Sequence, residues 1–434
     1  MKINIPKNVT KIIAMLEEHG YDAYAVGGCV RDSLLHRVPG DWDITTSARP
    51  EEIKSVFRKT IDTGIEHGTV TVRMGGENYE VTTYRIDGDY SDRRHPDSVI
   101  FTGNLTEDLK RRDFTINAMA YNEKRGVVDE YGGIRDLEEG LIRCVGVPDE
   151  RFDEDALRIL RAVRFSAQLG FEIEPGTLAA ASRHAAELKA VSAERIFTEL
   201  NKTLTGKYPC RIRLIFTCGM ADHICPSFHM LTERDAAELV PPEAFPDRSL
   251  DEQGDAPALP ADKYMRWSAL MKRLDGAEAV KILTELKSDN ETMRRVRVLV
   301  DAYKKPLPEN EVDIRCCLRD IGPELLEDLI LLKAYYGEPA LKVQAVSKAL
   351  RHIMDTGECW NLKMLALTGN DLIRLGFKPG KQFGEILETL LDHVIRNPED
   401  NRKEVLEELA DEYRKHKICS AGFCEVAGST GDGV

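Results

Sequence analysis

The sequence predicts an α/β N-terminal domain followed by an all-α C-terminal half. Over the first 145 or so residues, short runs of strand-like alternation are interleaved with segments of helical periodicity. From about Asp153 onward strand patterns nearly vanish, and apolar residues recur every three to four positions. Length agrees: at roughly 150 residues per domain, 434 residues allow two to four domains with ample core to bury.

In chain order, an amphipathic helix is expected over Val9 to Glu18, with Ile12, Ile13, Met15 and Leu16 as its apolar residues. Strands are expected at Tyr24 to Val26, Asp43 to Thr46, Thr69 to Met74 and Tyr79 to Tyr84, with a weaker one at Val127 to Tyr131. Helices fall at Cys29 to Leu35 and Pro50 to Arg58, the second capped by Thr46 or Ser47 with a proline in its first turn. Between Arg85 and Phe101 the chain is too polar and turn-rich for regular structure and long for a hairpin loop. Pro241, Pro242, Pro246, Pro257 and Pro260 mark a linker across about 240 to 262. Beyond Lys417 the residues are too small and polar to pack, and disorder is expected. No internal repeat is evident.

Composition narrows the function classes. With 60 Lys and Arg against 74 Asp and Glu, the net charge of -14 excludes a uniformly basic nucleic-acid coat, so any such contact must use local patches. Candidate patches are Lys272-Arg273, Arg294-Arg295-Arg297, and Arg374 with Lys378-Pro379-Gly380-Lys381; such a cluster alone is more often a solvated helix face than a phosphate site. No stretch reaches the 18 apolar residues of a membrane span. The first residues, Met1 to Lys7, lack the apolar run and cleavage site of an export signal. Ten cysteines without a C-x-x-C pair point to reduced thiols in a cytoplasmic protein, not to disulfides or a structural zinc.

Two constellations carry chemistry. In Val26-Gly27-Gly28-Cys29-Val30-Arg31 a strand runs through two glycines into a helix bearing an arginine. Glycines let backbone N–H groups approach phosphate oxygens, and Arg31 adds a fixed cation, which suits a triphosphate. Taken alone, the segment reads first as an ordinary strand-to-helix turn. About a dozen residues on, Gly40-Asp41-Trp42-Asp43 places two carboxylates on one strand face, where they repel unless cations sit between them. Mg²⁺ prefers such oxygen ligands together with substrate phosphates. An isolated D-x-D is a solvated acidic turn; the preceding glycines and arginine favour a two-metal phosphoryl-transfer site. Glu80, on a strand expected beside Asp43, is a candidate third carboxylate, with a solvated position as the alternative.

These two motifs together resemble the nucleotidyltransferase signature of the DNA polymerase beta superfamily. Lys110-Arg111-Arg112-Asp113-Phe114-Thr115-Ile116-Asn117-Ala118 resembles the R-R-D-x-x-x-N-A motif of class II CCA-adding enzymes and bacterial poly(A) polymerases. Asp129-Glu130-Tyr131-Gly132-Gly133, Glu154-Asp155-Ala156-Leu157-Arg158 and Ser192-Ala193-Glu194-Arg195-Ile196 are similar to later motifs of that family, in the same order; a weaker similarity covers Leu372 to Gly384. The resemblance implies a polymerase-beta-like mixed-sheet head (1–145), a helical neck selecting the base (146–207), a helical body (208–320), a tRNA-binding tail (321–417) and a disordered end (418–434). It implies that Asp41 and Asp43 hold Mg²⁺, that Gly28 and Arg31 contact the triphosphate, and that Arg112, Arg158, Arg161 and Arg164 contact the nucleotide. It also makes the Asp87 to Pro96 segment a flexible loop for the switch from C to A addition, where a plain surface loop is the alternative. Asp113 and Asn117 either orient the ribose, hold the arginines, or cap local structure.

Glu154-Asp155-x-x-Arg158 has a physical reading of its own. On one helix Asp155 and Arg158 stand three residues apart and side by side. A carboxylate accepts and a guanidinium donates, so the pair matches an exocyclic amine beside an unprotonated ring nitrogen, the edge that cytosine and adenine share. Guanine and uracil leave both side chains unsatisfied. The bland alternative is a surface salt bridge. Arg161 and Arg164 extend the same face as a row of arginines without acids on that turn. The expected activity is template-independent addition of C, C and A to a tRNA 3′ end from CTP and ATP, by a cytoplasmic enzyme. Alternatives are a poly(A) polymerase, a partial CC- or A-adding enzyme, and a noncatalytic RNA-binding protein. His223, His229 and His352 lack the His-Asp pairing of a metal phosphohydrolase. Oligomeric state is not legible.

Overall fold

The computed structural model describes residues 2–88, 98–240 and 259–425. The chain opens with α1 (Lys7–Glu18), β1 (Ala23–Val26), α2 (Gly28–Leu34), β2 (Ile44–Thr46), α3 (Pro50–Val56), β3 (Thr60–Gly64), β4 (Thr69–Met74) and β5 (Glu77–Thr83). It continues through β6 (Arg85–Asp87), β7 (Val99–Phe101), α4 (Leu105–Lys110), β8 (Ala120–Asn122), β9 (Gly126–Val128) and α5 (Gly133–Glu139). Seven strands form a mixed sheet in the order β3-β4-β5-β2-β1-β8-β9. Within it β2 and β5 run parallel, with Ile44 opposite Val81.

Strand alternation divides β1 between two cores. Ala23 and Ala25 join Ile12, Leu16 and Ile53 on one face, while Tyr24 and Val26 join Tyr84, Leu109 and Val145 on the other. The sheet is therefore covered on both sides, which explains why β1 is buried throughout.

Several expectations are corrected. β2 begins at Ile44, so Asp41 and Asp43 stand in the connection that enters the strand. β3 and β8 were not expected. β3 is an edge strand whose Ile61, Asp62 and Thr63 are all exposed, so it shows no in-out alternation; β8 is three residues long and wholly buried. Thr46 and Ser47 do not cap α3. The Thr46 hydroxyl donates to the Asp22 carbonyl (2.7 Å), and the Ser47 hydroxyl accepts from the Asp22 N–H (2.9 Å). The N-cap is Arg49, whose N–H donates to Glu52 (2.7 Å). The segment after Arg85 is not wholly irregular, because β6 and β7 pair antiparallel from Arg85–Phe101 to Asp87–Val99. Residues 89–97 of the expected loop lie outside the described residues.

Next come α6 (Pro148–Glu154), α7 (Leu157–Leu169), α8 (Pro175–Arg183) and α9 (Ala193–Leu204). Beyond β9, among the described residues, strand structure is confined to the parallel pair Leu141–Ile142 and Glu172–Ile173. Residues 2–240 and 260–294 belong to one compact unit and residues 295–425 to a second. The second has a core of its own around Leu372, Leu390, Leu391, Val394 and Leu406. Its last helix is Lys403–Glu425. Residues 426–434, and 241–258 of the expected linker, lie outside the described residues. The eight cysteines from Cys29 to Cys359 are unpaired. Among the described residues no helix is long and apolar enough to cross a membrane.

Candidate active site

Gly27 joins β1 to α2 at φ 80° and ψ -128°, a conformation open only to glycine. A Cβ there would lie 2.9 Å from Arg112 Nη1, so the bare backbone also lets that guanidinium approach. Gly28 starts α2, and Arg31 follows one turn later with its side chain nearly buried. Arg31 Nε donates to Asp32 (2.9 Å) and Nη1 to the Asn117 side-chain oxygen (2.6 Å).

Asp41, Asp43 and Glu80 share a cavity of about 790 Å³ with Thr71 and Tyr79. Parallel pairing brings Asp43 and Glu80 together, since each immediately precedes one of the registered partners Ile44 and Val81. Trp42 packs back on the core, which fixes the aspartates on either side of it. Asp43 is exposed as a residue, yet protein crowds its carboxyl, which sits above the usual carboxylate range. Loss of hydration is the main cause; Glu80 and Asp41 add to it and Arg112 opposes it. Three carboxylates gathered at one cavity are a donor set suited to a divalent cation. Glu80 thus lines the cavity with the two aspartates and is itself exposed on β5.

A relay of side chains links the two halves of the site. Asn117 accepts from Arg31 and donates through Nδ2 to Asp113 Oδ1 (3.0 Å), which also accepts from the Phe114 N–H (2.8 Å). Asp113 Oδ2 accepts from Arg161 Nε (2.8 Å) and Nη2 (2.5 Å). Burial alone would raise the Asp113 carboxyl, but Arg161 and Asn117 hold it well below the usual range. Asp113 and Asn117 therefore hold the arginines. Arg112 faces Asp108 (3.4 Å), which is fully buried beneath Arg111 and the Thr45 hydroxyl.

The arginine row on α7 is not without acids. Its partners come from other elements: Glu154 on α6 for Arg158, Asp113 for Arg161, and Glu199 on α9 for Arg164 (2.5 Å). Asp155 and Arg158 do not stand side by side on one helix. Asp155 is extended (φ -150°, ψ 103°) between α6 and α7. Its carboxylate accepts from the Leu157 N–H (3.0 Å), the local bonding that lets aspartate compete with a continuous helix. It is also gripped by Arg195 Nη2 at 2.7 Å. Arg158 instead donates to Glu154 and to the carbonyls of Arg151 and Arg111, each of the latter at 3.1 Å. Arg195 and Glu199 were not singled out from the sequence; Arg195 lay within a family-like motif, whereas nothing local marks Glu199. Lys272 and Arg273 are ion-paired with Glu238, and Arg273 also with Asp235, so this patch is no open phosphate site.

Residues 23–143 match the poly(A) polymerase head domain, 170–231 the RNA- and SrmB-binding site of polymerase A, and 261–410 the second domain of tRNA nucleotidyltransferases. A CCA-adding enzyme of Lactobacillus delbrueckii subsp. bulgaricus is 38% identical over 400 residues, covering 92% of this chain and 95% of that one. The chain belongs to the CCA-adding enzyme family. A second member, from Limosilactobacillus fermentum, is 39% identical over 412 residues, 93% of this chain and 96% of its own. The crystal structure of the Bacillus stearothermophilus CCA-adding enzyme in complex with CTP has a TM-score of 0.78 at 32% identity, covering 95% and 98% of the two chains. The Thermotoga maritima enzyme complexed with tRNA shares the fold, at a TM-score of 0.63 and 22% identity, over 95% of this chain and all of that one. The protein is an enzyme with a polymerase-beta-like head and a helical remainder, and its family implies a divalent metal.

Proposed function

We propose that this enzyme adds C, C and A to the 3′ end of tRNA from CTP and ATP, acting in the cytoplasm without a nucleic-acid template. The observation that carries the reading is the sharing of one cavity by Asp41, Asp43 and Glu80, in the unit that also joins Arg31 to Arg161 through Asn117 and Asp113.

Asp41 and Asp43 are the ligands for Mg²⁺, with Glu80 as a third carboxylate. When bound, Mg²⁺ supplies activation of the tRNA terminal hydroxyl and charge neutralisation at the departing pyrophosphate. Gly28 lets the backbone approach the triphosphate, and Arg31, Arg112, Arg161 and Arg164 provide fixed positive charge around it. Asp155 and Arg158 read the base edge. Arg195 fixes the Asp155 carboxylate while acceptor capacity remains for an exocyclic amine, and the carbonyls of Arg151 and Arg111 orient Arg158 as a donor. The helical segments carry the RNA.

The test incubates purified protein with tRNA lacking its 3′ end and each labelled nucleotide in turn. C alone, then A only once C has been added, then arrest after three residues is the expected record. Continued A addition would make it a poly(A) polymerase, C or A alone a partial enzyme, and no incorporation a noncatalytic RNA-binding protein.

A further inference from the structure

Phe165, on α7 and only 4% exposed, lies against three arginines of the candidate site. The guanidinium carbon of Arg164 is 3.9 Å from its ring centroid, that of Arg31 is at 5.0 Å and that of Arg161 at 5.5 Å. The ring is itself fixed edge to face by Phe114, at a centroid distance of 5.8 Å and an angle of 83°. Phe114 directly follows Asp113, the carboxylate that holds Arg161. Arg31 enters from the sheet side on α2, while Arg161 and Arg164 belong to α7, so one ring is common to cations from two elements.

Three guanidiniums gathered this closely repel one another, and each already has one carboxylate: Asp32, Asp113 and Glu199. A further acid would hold the cluster but cancel the charge that an incoming polyanion must meet. The face of an aromatic ring attracts a guanidinium through its quadrupole while carrying no formal charge. A ring therefore gathers the cations and leaves their charge available. We propose that Phe165 is a positioning residue whose ring holds Arg31, Arg161 and Arg164 convergent on the phosphates of the incoming nucleotide. This rests on the nucleotide-transfer reading above and adds to it a residue that touches no substrate.

Ordinary core packing would require only the ring's volume, so the test varies ring electronics at constant shape. Mono-, di- and trifluorinated phenylalanine are installed at position 165 of the full chain, alongside Phe165→Tyr and Phe165→Met. Measured are kcat and KM for CTP and ATP on tRNA lacking its 3′ end, inhibition by inorganic tripolyphosphate, and Tm. Stepwise fluorination is expected to raise both KM values and the tripolyphosphate inhibition constant, reaching about tenfold. The same series should shift kcat by less than about threefold and leave Tm unchanged. Phe165→Tyr should behave as wild type and Phe165→Met as the trifluorinated protein; if Met disturbs folding, the fluorinated series alone decides. Unchanged KM and inhibition constants across that series would reduce Phe165 to a core side chain, even though the enzyme still added nucleotides. Failure of the wild type to add any nucleotide would instead overturn the functional reading, while tripolyphosphate affinity, measured directly, would still judge the ring.

Discussion

Asp43 sits where the requirements on a single residue are most opposed: its carboxyl loses hydration at the cavity edge, and Glu80 and Asp41 add like charge. That arrangement is unfavourable without a cation and suits one that carries substrate phosphates. Asp43→Ala should reduce nucleotide incorporation by at least about a thousandfold, several kcal/mol of transition-state stabilisation, while tRNA affinity by filter binding stays near wild type. Near-normal turnover of this variant with Mg²⁺ would remove Asp43 from the catalytic set. Arg158 makes a different demand, since it satisfies Glu154 and two carbonyls at once. Arg158→Ala should relax nucleotide choice, admitting UTP or GTP in single-nucleotide extension assays, because the donor to the ring nitrogen is gone. Glu154 keeps Arg151 as a partner, so the variant should still fold. An unchanged preference in a folded protein would leave Arg158 a structural tie only. At this scale the strand-to-helix turn at Gly27 and Gly28 and the nearness of Asp41 to Asp43 were legible from spacing, because short-range geometry sets both. The juxtaposition of Asp155 with Arg158 was not, because it assumed a continuous helix where an aspartate bonds its own downstream N–H.

Among elements, the β6–β7 pair and the link from α4 to α7 each lend themselves to a test. Deletion of residues 89–96 leaves the Arg85–Phe101, Ile86–Ile100 and Asp87–Val99 pairs to be closed by a shorter turn. Stability should change little, and the product on tRNA lacking its 3′ end should stop after two cytidines when CTP and ATP are both supplied. Full-length product at the wild-type rate would show that the segment is a plain surface loop. The link carries a pH signature. The Asp108 and Asp113 carboxyls are both held below the usual range, Asp108 mainly by Arg111 and Arg112 against its burial, and Asp113 by Arg161 against its own. A carboxyl lowered in the folded state contributes stability above the unfolded value, about pH 3.9, and loses it as the pH falls toward the folded value. Thermal melts should therefore be flat near neutrality and decline below about pH 4. Asp113→Asn should melt lower at pH 7 and show a shallower acid decline; an acid limb as steep as wild type would mean that Asp113 contributes nothing to it. Periodicity revealed α1 and β5 because each buries one face, and β4 through its alternating residue types although Val70, Thr71 and Val72 are all buried. It missed β8, whose three residues are all buried, and β3, an edge strand without alternation.

For the whole molecule, a net charge of -14 means that RNA must be held at chosen places against an overall repulsion. Lys272 and Arg273 are committed to Glu238 and Asp235, whereas Lys378 and Lys381 in the second unit are exposed. Reversing both lysines to glutamate should weaken tRNA binding across sequences and reduce the slope of log affinity against log salt by about two. Turnover at saturating tRNA should be unaffected, and a slope equal to wild type would place the RNA elsewhere. Composition, periodicity and motif order determined the two-part architecture, the family and the aspartate pair, since those depend on residues near one another in the chain. Only the tertiary structure decided which carboxylate each arginine takes, that Arg195 holds Asp155, and that one phenylalanine lies against three cations. Arg161 and Asp113, Arg164 and Glu199, Arg195 and Asp155, and Arg31 and Phe165 all stand dozens of positions apart, and no local pattern records which buried charges must satisfy one another once the chain has closed.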